Sequence, residues 1–415
     1  MNGSADGFVS LDDYLATEPA IAGWKAAALA RARRRGLPVL PGYVLPVSAG
    51  SDALATGAGV LPQCGSGAAR RAVFAAEVPS GIAARGHELV TELGGVVIAR
   101  SSSPLEADPA WAGALSSITE VGPADVATAI RSCWASGFGG DAVARMRARH
   151  IVPGQMRIAV LFQRQVRADF GGTAYVDGAD VVVTGIAGHP GALLAGLADG
   201  VRATAHGRTA AGPLLDLVGT QITHSVINLI RRCRLDLGDC AIEWIAEDGV
   251  AYLTQATSSV PRRPTCPVAD VTPSGASRTS VPGTRCVEGD AVGRLWFVRP
   301  HERVAIEGAH ILVCERPVPA LAPLLFAASG LACLNGPSDC HLAGVARALG
   351  KPMLVDVPLH RLLDPPSDIN REPGLLGAIS GTPCRLAVLR PDSLSPANQR
   401  SLVQRAGDHL AGSHG

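Results

Sequence analysis

Residues 256–285 (ATSSVPRRPTCPVADVTPSGASRTSVPGTR) constrain the fold of this chain more than any other stretch. Proline, serine, threonine and arginine dominate them, and no hydrophobic periodicity runs through them. Such a composition favours neither an amphipathic helix nor a strand and is typical of linkers. The sequence therefore predicts a first domain over 1–258, a linker over 259–285, a second domain over 286–362 and a C-terminal tail over 363–415.

The charge balance and hydropathy exclude several classes of protein. The 415 residues include 37 basic and 36 acidic side chains, a formal net charge of +1. Nucleic-acid-binding proteins carry a basic excess, so we expect no nucleic-acid partner. Nowhere do about 18 apolar residues follow one another, so we expect no spanning helix and no membrane partner. The ten cysteines form no CxxC pair and the N-terminus lacks a signal-peptide layout, which predicts a cytoplasmic protein with reduced thiols.

The secondary structure predicted along the chain is mixed. Helical patterns cover 20–36 and 213–233, and residues 240–257 are typical of a β-hairpin with a turn at Glu247-Asp248-Gly249. Between 293 and 357 the order strand, helix, strand predicts a compact α/β unit. The fold class is therefore α+β with more than one domain.

Lysine is rare in this chain. Only Lys25 and Lys351 are lysines, and arginine supplies the other basic side chains. A lysine is a compact point charge, whereas an arginine is a planar fork. The lysine at position 25, inside the first predicted helix, is therefore a candidate binding residue.

The second domain contains a histidine placed for chemistry. A turn-forming run from Asn335 to Cys340 ends at His341, which opens the predicted helix HLAGVARALG. The positive end of a helix lowers the pKa of a histidine, and a neutral imidazole is a nucleophile. His341 could accept a phosphoryl group, although a histidine at a helix start can also be purely structural.

The surroundings of this histidine resemble a known family. GPSDCHLAGVARALGKP is similar to the pattern GGxT[CS]HAAxxARExGxP of the swivelling phosphohistidine domain in phosphoenolpyruvate-utilising enzymes, over about 309–357. Pyruvate phosphate dikinase, phosphoenolpyruvate synthase and rifampin phosphotransferase belong to that family. The resemblance implies that His341 carries the phosphoryl group and that Arg347 contacts the phosphate.

The first domain resembles the ATP-grasp-like nucleotide-binding domain of the same enzymes. The similar segments are GWKAAAL, VVIARSSSPLEADPAWAG, AVLFQRQVRADFGGTAY and IEW…AYLTQA. The resemblance implies ATP and Mg²⁺ as cofactors. It places Lys25 and Arg100 on the nucleotide phosphates, Gln163 in the nucleotide site, and Glu243 with Gln255 on the metal. A pair of Arg100 and Glu243 that serves only as an internal ion pair is the structural alternative.

Several positions depart from the family pattern. The family aspartate before Ile-Glu-Trp is Ala241, and the arginine after Gln-x is Thr257. Asp239 could supply the missing carboxylate, because residues 239 and 243 share a strand face, and could bind the metal with Glu243. The family threonine near the histidine is Asp339, which could orient the imidazole or abstract a proton from the substrate.

The predicted function is an ATP-dependent, dikinase-type phosphotransferase. His341 would be phosphorylated as ATP becomes AMP, and would then pass the phosphate to a small-molecule acceptor. The family's phosphoenolpyruvate/pyruvate barrel is missing from these residues, so we expect an acceptor of specialised metabolism or antibiotic modification. It would bind to these domains or to a separate acceptor-binding protein. An ATP-grasp ligase or direct kinase that does not use His341, and a non-catalytic nucleotide-binding descendant, are the alternatives.

Overall fold

A computed structural model describes residues 7–258, 278–300, 302, 306, 308–363, 366–371, 375–381 and 384–389. The chain forms two compact units of mixed helices and sheets. The first comprises Met1–Pro190 and Gly200–Ser259, and the second comprises Gly191–Asp199 and Val260–Gly415. Among the described residues, no helix combines the length and the hydropathy needed to cross a bilayer.

The first unit begins with a five-stranded antiparallel sheet in the order β1-β2-β5-β3-β4. Its strands are β1 (Val9–Ser10), β2 (Gly42–Leu45), β3 (Val97–Ser102), β4 (Ser117–Val121) and β5 (Ala159–Arg164). The helices along this part of the chain are α1 (Pro19–Arg34), α2 (Ser51–Phe74), α3 (Ser80–Glu92), α4 (Val126–Ser136) and α5 (Gly140–Ala148). Apolar residues of β3 and β5 pack with those of α2, α3 and α4 into one core.

A second antiparallel sheet follows in the order β11-β10-β6-β7-β8-β9. Its strands are β6 (Phe170–Asp177), β7 (Asp180–Ala187), β8 (Val201–His206), β9 (Thr209–Ala211), β10 (Cys240–Glu247) and β11 (Val250–Ser258). Between β7 and β8 lies α6 (Gly191–Leu194), whose residues belong to the second unit, and between β9 and β10 lies α7 (Leu214–Leu237). Ala174, Ile242 and Ala256 of the sheet share a core with Val226 of α7. Side chains alternate along a strand, so their neighbours face away from α7.

The helix α1 meets the end of β3 at a backbone contact. Gly23 has a φ of +71° and breaks the helix there. The amide N–H of Trp24 donates to the Ser103 carbonyl at 3.0 Å, and the Ala26 N–H donates to Ser102 Oγ at 3.1 Å. A Cβ at position 23 would lie 2.2 Å from the Ser102 carbonyl oxygen, so only glycine permits this approach.

Gly23→Ala is therefore expected to lower the free energy of unfolding by at least about 2 kcal/mol, from positive-φ strain and steric overlap together. Gly36→Ala is the matched control, because Gly36 has a φ of +70° but a Cβ there would meet no atom within 4 Å. Gly36→Ala is expected to lower the free energy of unfolding by about 1 kcal/mol. Chemical denaturation measures both, and equal losses would contradict the packing argument.

The second unit is built on an eight-stranded sheet in the order β12-β19-β18-β14-β15-β16-β17-β13. Its strands are β12 (Arg278–Pro282), β13 (Thr284–Val287), β14 (Ala291–Phe297), β15 (His310–Cys314), β16 (Gly330–Cys333), β17 (Met353–Val355), β18 (Leu376–Gly381) and β19 (Cys384–Leu389). The strands from β14 to β17 are parallel neighbours. The helices α8 (Ala322–Leu325) and α9 (His341–Ala348) precede β16 and β17.

This sheet extends beyond the predicted limits of the second domain. The strands β12 and β13 fall largely in the predicted linker, and β18 and β19 fall in the predicted tail. Their apolar side chains, including Val281, Ile379 and Leu386, are buried in the core of the sheet. The pairing of β12 with β19 joins segments about a hundred residues apart, which local composition does not reveal. The rest of the predicted linker, 259–277, and of the tail, 390–415, lies outside the described residues.

Candidate nucleotide and phosphohistidine sites

Lys25 lies in a buried polar pocket between α1 and the end of β3. Its Nζ is 2.6 Å from Glu106 Oε1 and donates to the Ser101 carbonyl at 3.2 Å. The residue is 8% exposed, and its ammonium has three donors, two of which are used in this way. The remaining donor could serve a phosphate oxygen. The close approach of α1 and β3 explains why a compact ammonium stands here in an otherwise arginine-rich chain.

Glu106 is a site residue that the sequence reasoning missed. Its Oε2 accepts the N–H of Ser103 at 2.9 Å, and the Ser103 side chain accepts a backbone N–H in return. This is a capping box, whose signature Ser-x-x-Glu is visible in the sequence at 103–106. The same carboxylate is the counter-ion of Lys25, and it is 6% exposed.

Arg100 reaches from β3 to β11. Its Nη2 donates to Gln255 Oε1 at 3.0 Å, and its Nη1 donates to the carbonyl of Thr254. The register of β10 and β11 shifts at Glu243, a bulge that leaves Thr254 without a cross-strand partner and turns its carbonyl toward the arginine. Burial lowers the pKa of Arg100, and the nearby Glu243 and Glu106 carboxylates oppose that change. The structure therefore brings the predicted residues Arg100, Glu243 and Gln255 together.

Glu243 lies in a row of polar residues across the second sheet. Gln255 of β11, Glu243 of β10, Thr173 of β6 and Thr184 of β7 are direct cross-strand neighbours. The row lies on the face away from α7. Thr173 is 8% exposed, and within the described ranges its hydroxyl has no hydrogen-bond partner. A buried hydroxyl without a partner is costly, which marks Thr173 as a candidate contact for a ligand.

His189 stands beside the same row. It follows β7 in a loop that rests on β6, where a Cβ at Gly171 would lie 2.4 Å from Pro190 Cδ. Burial lowers the pKa of His189, the charge of Arg100 lowers it further, and the charge of Glu243 opposes both. The imidazole is therefore close to both charged residues and neutral at neutral pH.

Gln163 is buried in the first sheet at 2% exposure. Its Nε2 donates to the carbonyl of Leu40 at 3.0 Å, which ties β5 to the segment before β2. This contact gives Gln163 a structural partner, and its nucleotide-binding role stays a prediction.

Asp239 lies just before β10 and is placed differently from the prediction. Its Oδ1 is 2.8 Å from Arg234 Nε, and its side chain is 58% exposed. Four residues of strand separate its Cα from that of Glu243 by about 13 Å. The predicted shared strand face does not by itself bring the two carboxylates together, and Asp239 already has Arg234 as a partner. The role of Asp239 as a metal ligand stays a prediction.

The remaining oxygens suit a Mg²⁺ ion that arrives with a nucleotide. Glu243 offers a carboxylate, Thr173 a hydroxyl, and Gln255 an amide oxygen with a second lone pair beside the one that accepts from Arg100, all on one sheet face. Within the part of the chain that the structure describes, no three histidine, cysteine or acidic residues form a metal cluster. Mg²⁺ typically binds one or two carboxylates and completes its shell with water and phosphate oxygens. The donor set therefore fits Mg²⁺ only together with phosphates.

The second unit presents His341 at the first position of α9. The preceding loop is tightly packed, because Gly336 has a φ of +122° and a Cβ there would lie 2.3 Å from Pro317 Cδ. Ser338 Oγ donates to Asp339 Oδ1 at 3.3 Å, so that carboxylate has a contact within the loop. Cys340 caps the helix, and burial raises its pKa to about 12, which keeps the thiol protonated. His341, which is half-buried, is the better nucleophile of the two.

Arg347 has a partner on another element. Its Nη2 donates to the carbonyl of Cys286 in β13 at 3.2 Å. Six residues along a helix turn a side chain by about 240° from His341, toward another face. A direct contact of Arg347 with a phosphate on His341 stays a prediction, and the observed contact fixes α9 to β13.

Comparison with known proteins identifies both units. Residues 20–184 match the family model "Pyruvate phosphate dikinase, AMP/ATP-binding domain", and residues 306–367 match "PEP-utilising enzyme, mobile domain". A probable phosphoenolpyruvate synthase of Methanothermobacter thermautotrophicus is 26% identical over 402 aligned positions, covering 81% of this chain and 58% of the relative. The chain thus spans less than two thirds of the length of the curated relative it matches.

Two solved structures also show a distant likeness. Cdc123 from Schizosaccharomyces pombe is 9% identical with a TM-score of 0.29, over 56% of this chain and 82% of that protein. Its C-terminally truncated form is 8% identical with a TM-score of 0.25, over 46% of this chain and 73% of that protein.

The two family models together cover more than half of the 415 residues and occur in the order predicted from the motifs. The chain therefore belongs to the phosphoenolpyruvate-utilising enzymes, a family of ATP-dependent phosphotransferases that act through a phosphohistidine.

Proposed function

We propose that this chain is an ATP-dependent phosphotransferase in which an ATP-grasp-like unit phosphorylates His341 of a swivelling unit. The convergence of Arg100, Gln255 and Glu243 supports this most, because a buried guanidinium beside an amide and a carboxylate suits a metal–nucleotide complex. The second support is a half-buried histidine at the start of α9, in the domain that matches the family's mobile domain.

In the first unit, Lys25 and Arg100 would bind the phosphates of ATP. Both are buried cations whose charge acts in a medium of low dielectric constant, where it stabilises phosphate oxygens more than in water. Glu243 and Gln255 would hold Mg²⁺, which, when bound, neutralises charge on the phosphates. Thr173 adjoins Glu243 in the same row and would complete the oxygen set.

In the second unit, His341 would attack phosphorus as a neutral imidazole. A nitrogen–phosphorus bond would form to the β-phosphorus of ATP as its bond to the α-phosphate oxygen breaks, which releases AMP and leaves a diphosphate on His341. Water would then break the β–γ bond, release inorganic phosphate and leave one phosphate on the histidine. The start of an eight-residue helix favours the added negative charge. The phosphohistidine would then pass its phosphate to an acceptor. Asp339, two residues before His341, is the candidate base that would deprotonate this acceptor.

The direct test is incubation of the pure protein with ATP and Mg²⁺, followed by intact mass and nucleotide analysis. We expect one acid-labile phosphate per chain and AMP. ADP without covalent phosphate would instead indicate a ligase or a direct kinase. Bound nucleotide without turnover, also in the presence of candidate acceptors, would indicate a non-catalytic descendant.

We propose a small molecule as the acceptor, in keeping with the small-molecule substrates of the family. Specialised metabolism or antibiotic modification is the setting we favour, with a separate acceptor-binding protein as a further candidate partner. Because ATP is the proposed donor, we place the activity in the cytoplasm. Loss of the phosphate from phosphorylated His341 on addition of candidate acceptors, followed by mass spectrometry, identifies the acceptor.

Thr173→Val is expected to weaken binding of a Mg²⁺–nucleotide complex by about fivefold to tenfold, since it removes one buried oxygen and keeps the shape of the side chain. Thr173→Ser, which retains the hydroxyl, is the matched control and is expected to bind within about twofold of the wild type. Isothermal titration with a non-hydrolysable ATP analogue measures both. Equal affinities for the valine and serine variants would remove Thr173 from the site.

A further inference from the structure

Arg145 of α5 is a buried charge that the proposed function does not yet use. Its side chain is 0% exposed, and Nε, Nη1 and Nη2 have no hydrogen-bond partner in the described part of the chain. Burial lowers the pKa of Arg145 to about 10, so the guanidinium is still protonated at neutral pH. An unpaired buried cation is strongly destabilising, and such groups persist where function requires them.

The surroundings of Arg145 connect it to the lysine pocket. Arg149, four residues later and directly after the end of α5, contacts Asp108 at 3.1 Å. Asp108 belongs to the 103–111 loop, which also carries Glu106, and α5 packs against this loop at 109–111. The loop is therefore tied to α5 at the surface by Asp108 and to Lys25 in the interior by Glu106. The carboxylates of both Glu106 and Asp108 act on the charge of Arg145.

The charges of three carboxylates, those of Asp141, Glu106 and Asp108, act on Arg145. Asp141, one turn earlier on α5, is half-buried. Asp108 pairs with Arg149 and caps the 3₁₀ turn at 109–111. Glu106 is buried and contacts Lys25, the residue proposed to bind phosphate. When Lys25 binds a nucleotide phosphate, Glu106 is the one of these three carboxylates that loses its cationic partner.

We propose that Arg145 is the counter-ion of Glu106 in the nucleotide-bound state, so that Lys25 is released to the phosphates. In the nucleotide-free state Lys25 and Glu106 neutralise each other, and a neutral pair attracts a polyphosphate weakly. With Arg145 as the partner of Glu106, the net charge of the three side chains is unchanged, but the Lys25 ammonium is no longer neutralised and its charge acts on the phosphates. Arg145 is thus a positioning residue that acts through Glu106 and Lys25. This inference rests on the proposed nucleotide site.

Stability and affinity should change in opposite directions in Arg145→Met. Removing an uncompensated buried charge is expected to raise the melting temperature of the nucleotide-free protein. The affinity for a non-hydrolysable ATP analogue with Mg²⁺ is expected to fall about tenfold, because Glu106 then keeps Lys25. Arg145→Lys retains a charge and is expected to lose less than about threefold. Thermal denaturation and isothermal titration measure the two quantities.

A double-mutant cycle tests the route through Glu106. In a Glu106→Gln background there is no carboxylate to neutralise, so adding Arg145→Met should change the analogue affinity by less than about twofold. An Arg145→Met variant that is less stable, does not fold, or binds the analogue like the wild type would overturn the inference. Wild-type binding of the analogue and phosphorylation of His341 are measured separately, so a failure of the nucleotide site is distinguishable from a failure of this role.

Discussion

His341→Ala is expected to abolish acid-labile phosphorylation of the chain while leaving ATP binding intact. In this variant the half-buried imidazole at the start of α9 is gone, and the neighbouring Cys340 thiol, whose pKa burial raises to about 12, cannot replace it as a nucleophile. Intact mass spectrometry after incubation with ATP and Mg²⁺ measures the phosphate, and isothermal titration measures binding. AMP formation should fall to background with the phosphate, because both depend on the same nitrogen.

His360→Ala is the matched control for this experiment. His360 is an exposed histidine of the same unit, in a short turn after β17. The control is expected to be phosphorylated to the same extent as the wild type. A His341→Ala protein that still took up phosphate would show that another residue is the acceptor. One that still turned ATP over to ADP would support the ligase or direct-kinase alternative.

Much of the first unit could be predicted from the sequence, because its signals are local. The hairpin over 240–257 is confirmed as β10 and β11, and the first helix is confirmed as α1. The spacing of Glu243 and Gln255 across a short turn makes them direct neighbours in that hairpin. The roles of Lys25 and Arg100 stay predictions, but the structure gives each a buried position and polar partners.

The missed residues depend on contacts between distant segments. Glu106 meets Lys25 only because Gly23 lets α1 approach β3, and no local pattern gives that distance. Arg145 follows an ordinary helical pattern in the sequence, and its lack of hydrogen-bond partners among the described residues is visible only once α5 is packed under the 103–111 loop. The strands at 376–389 lie in the predicted tail because their partner β12 is at the other end of the unit, beyond the reach of a local pattern.

Thr257, one of the departures from the family pattern, contacts the amide of Gln255. Thr257 stands where the family has an arginine, and it accepts a weak hydrogen bond of 3.4 Å from Gln255 Nε2. Arg100 holds the other end of the same amide, at Oε1. The amide is therefore oriented by this chain's own residues, with its oxygen toward the guanidinium. In this chain, Arg100 and Thr257 thus fix the Gln255 amide without an arginine at position 257.

Glu243→Gln is expected to separate nucleotide binding from turnover. The substitution keeps the size of the side chain but removes its negative charge. Without Mg²⁺, the affinity for ATP should stay the same or rise, because a carboxylate that repels phosphates is lost. With Mg²⁺, the affinity should fall and phosphorylation of His341 should slow by at least about 100-fold, since the ion loses its one charged protein ligand.

Glu247→Gln provides the comparison on the same strand. Glu247 contacts Arg164 Nη2 at 3.2 Å and accepts the Arg167 N–H at 2.9 Å, at the end of β10 away from Gln255. The Glu247→Gln substitution should leave phosphorylation of His341 and the Mg²⁺ dependence of ATP binding unchanged. A Glu243→Gln protein with the Mg²⁺ dependence of the wild type would place the metal elsewhere and would leave Glu243 as the structural counter-charge of Arg100. In Glu243→Gln, the affinity for ATP is expected to fall with Mg²⁺ and to stay the same or rise without it. This difference distinguishes a metal ligand from an internal ion pair, the alternative that the sequence alone leaves open.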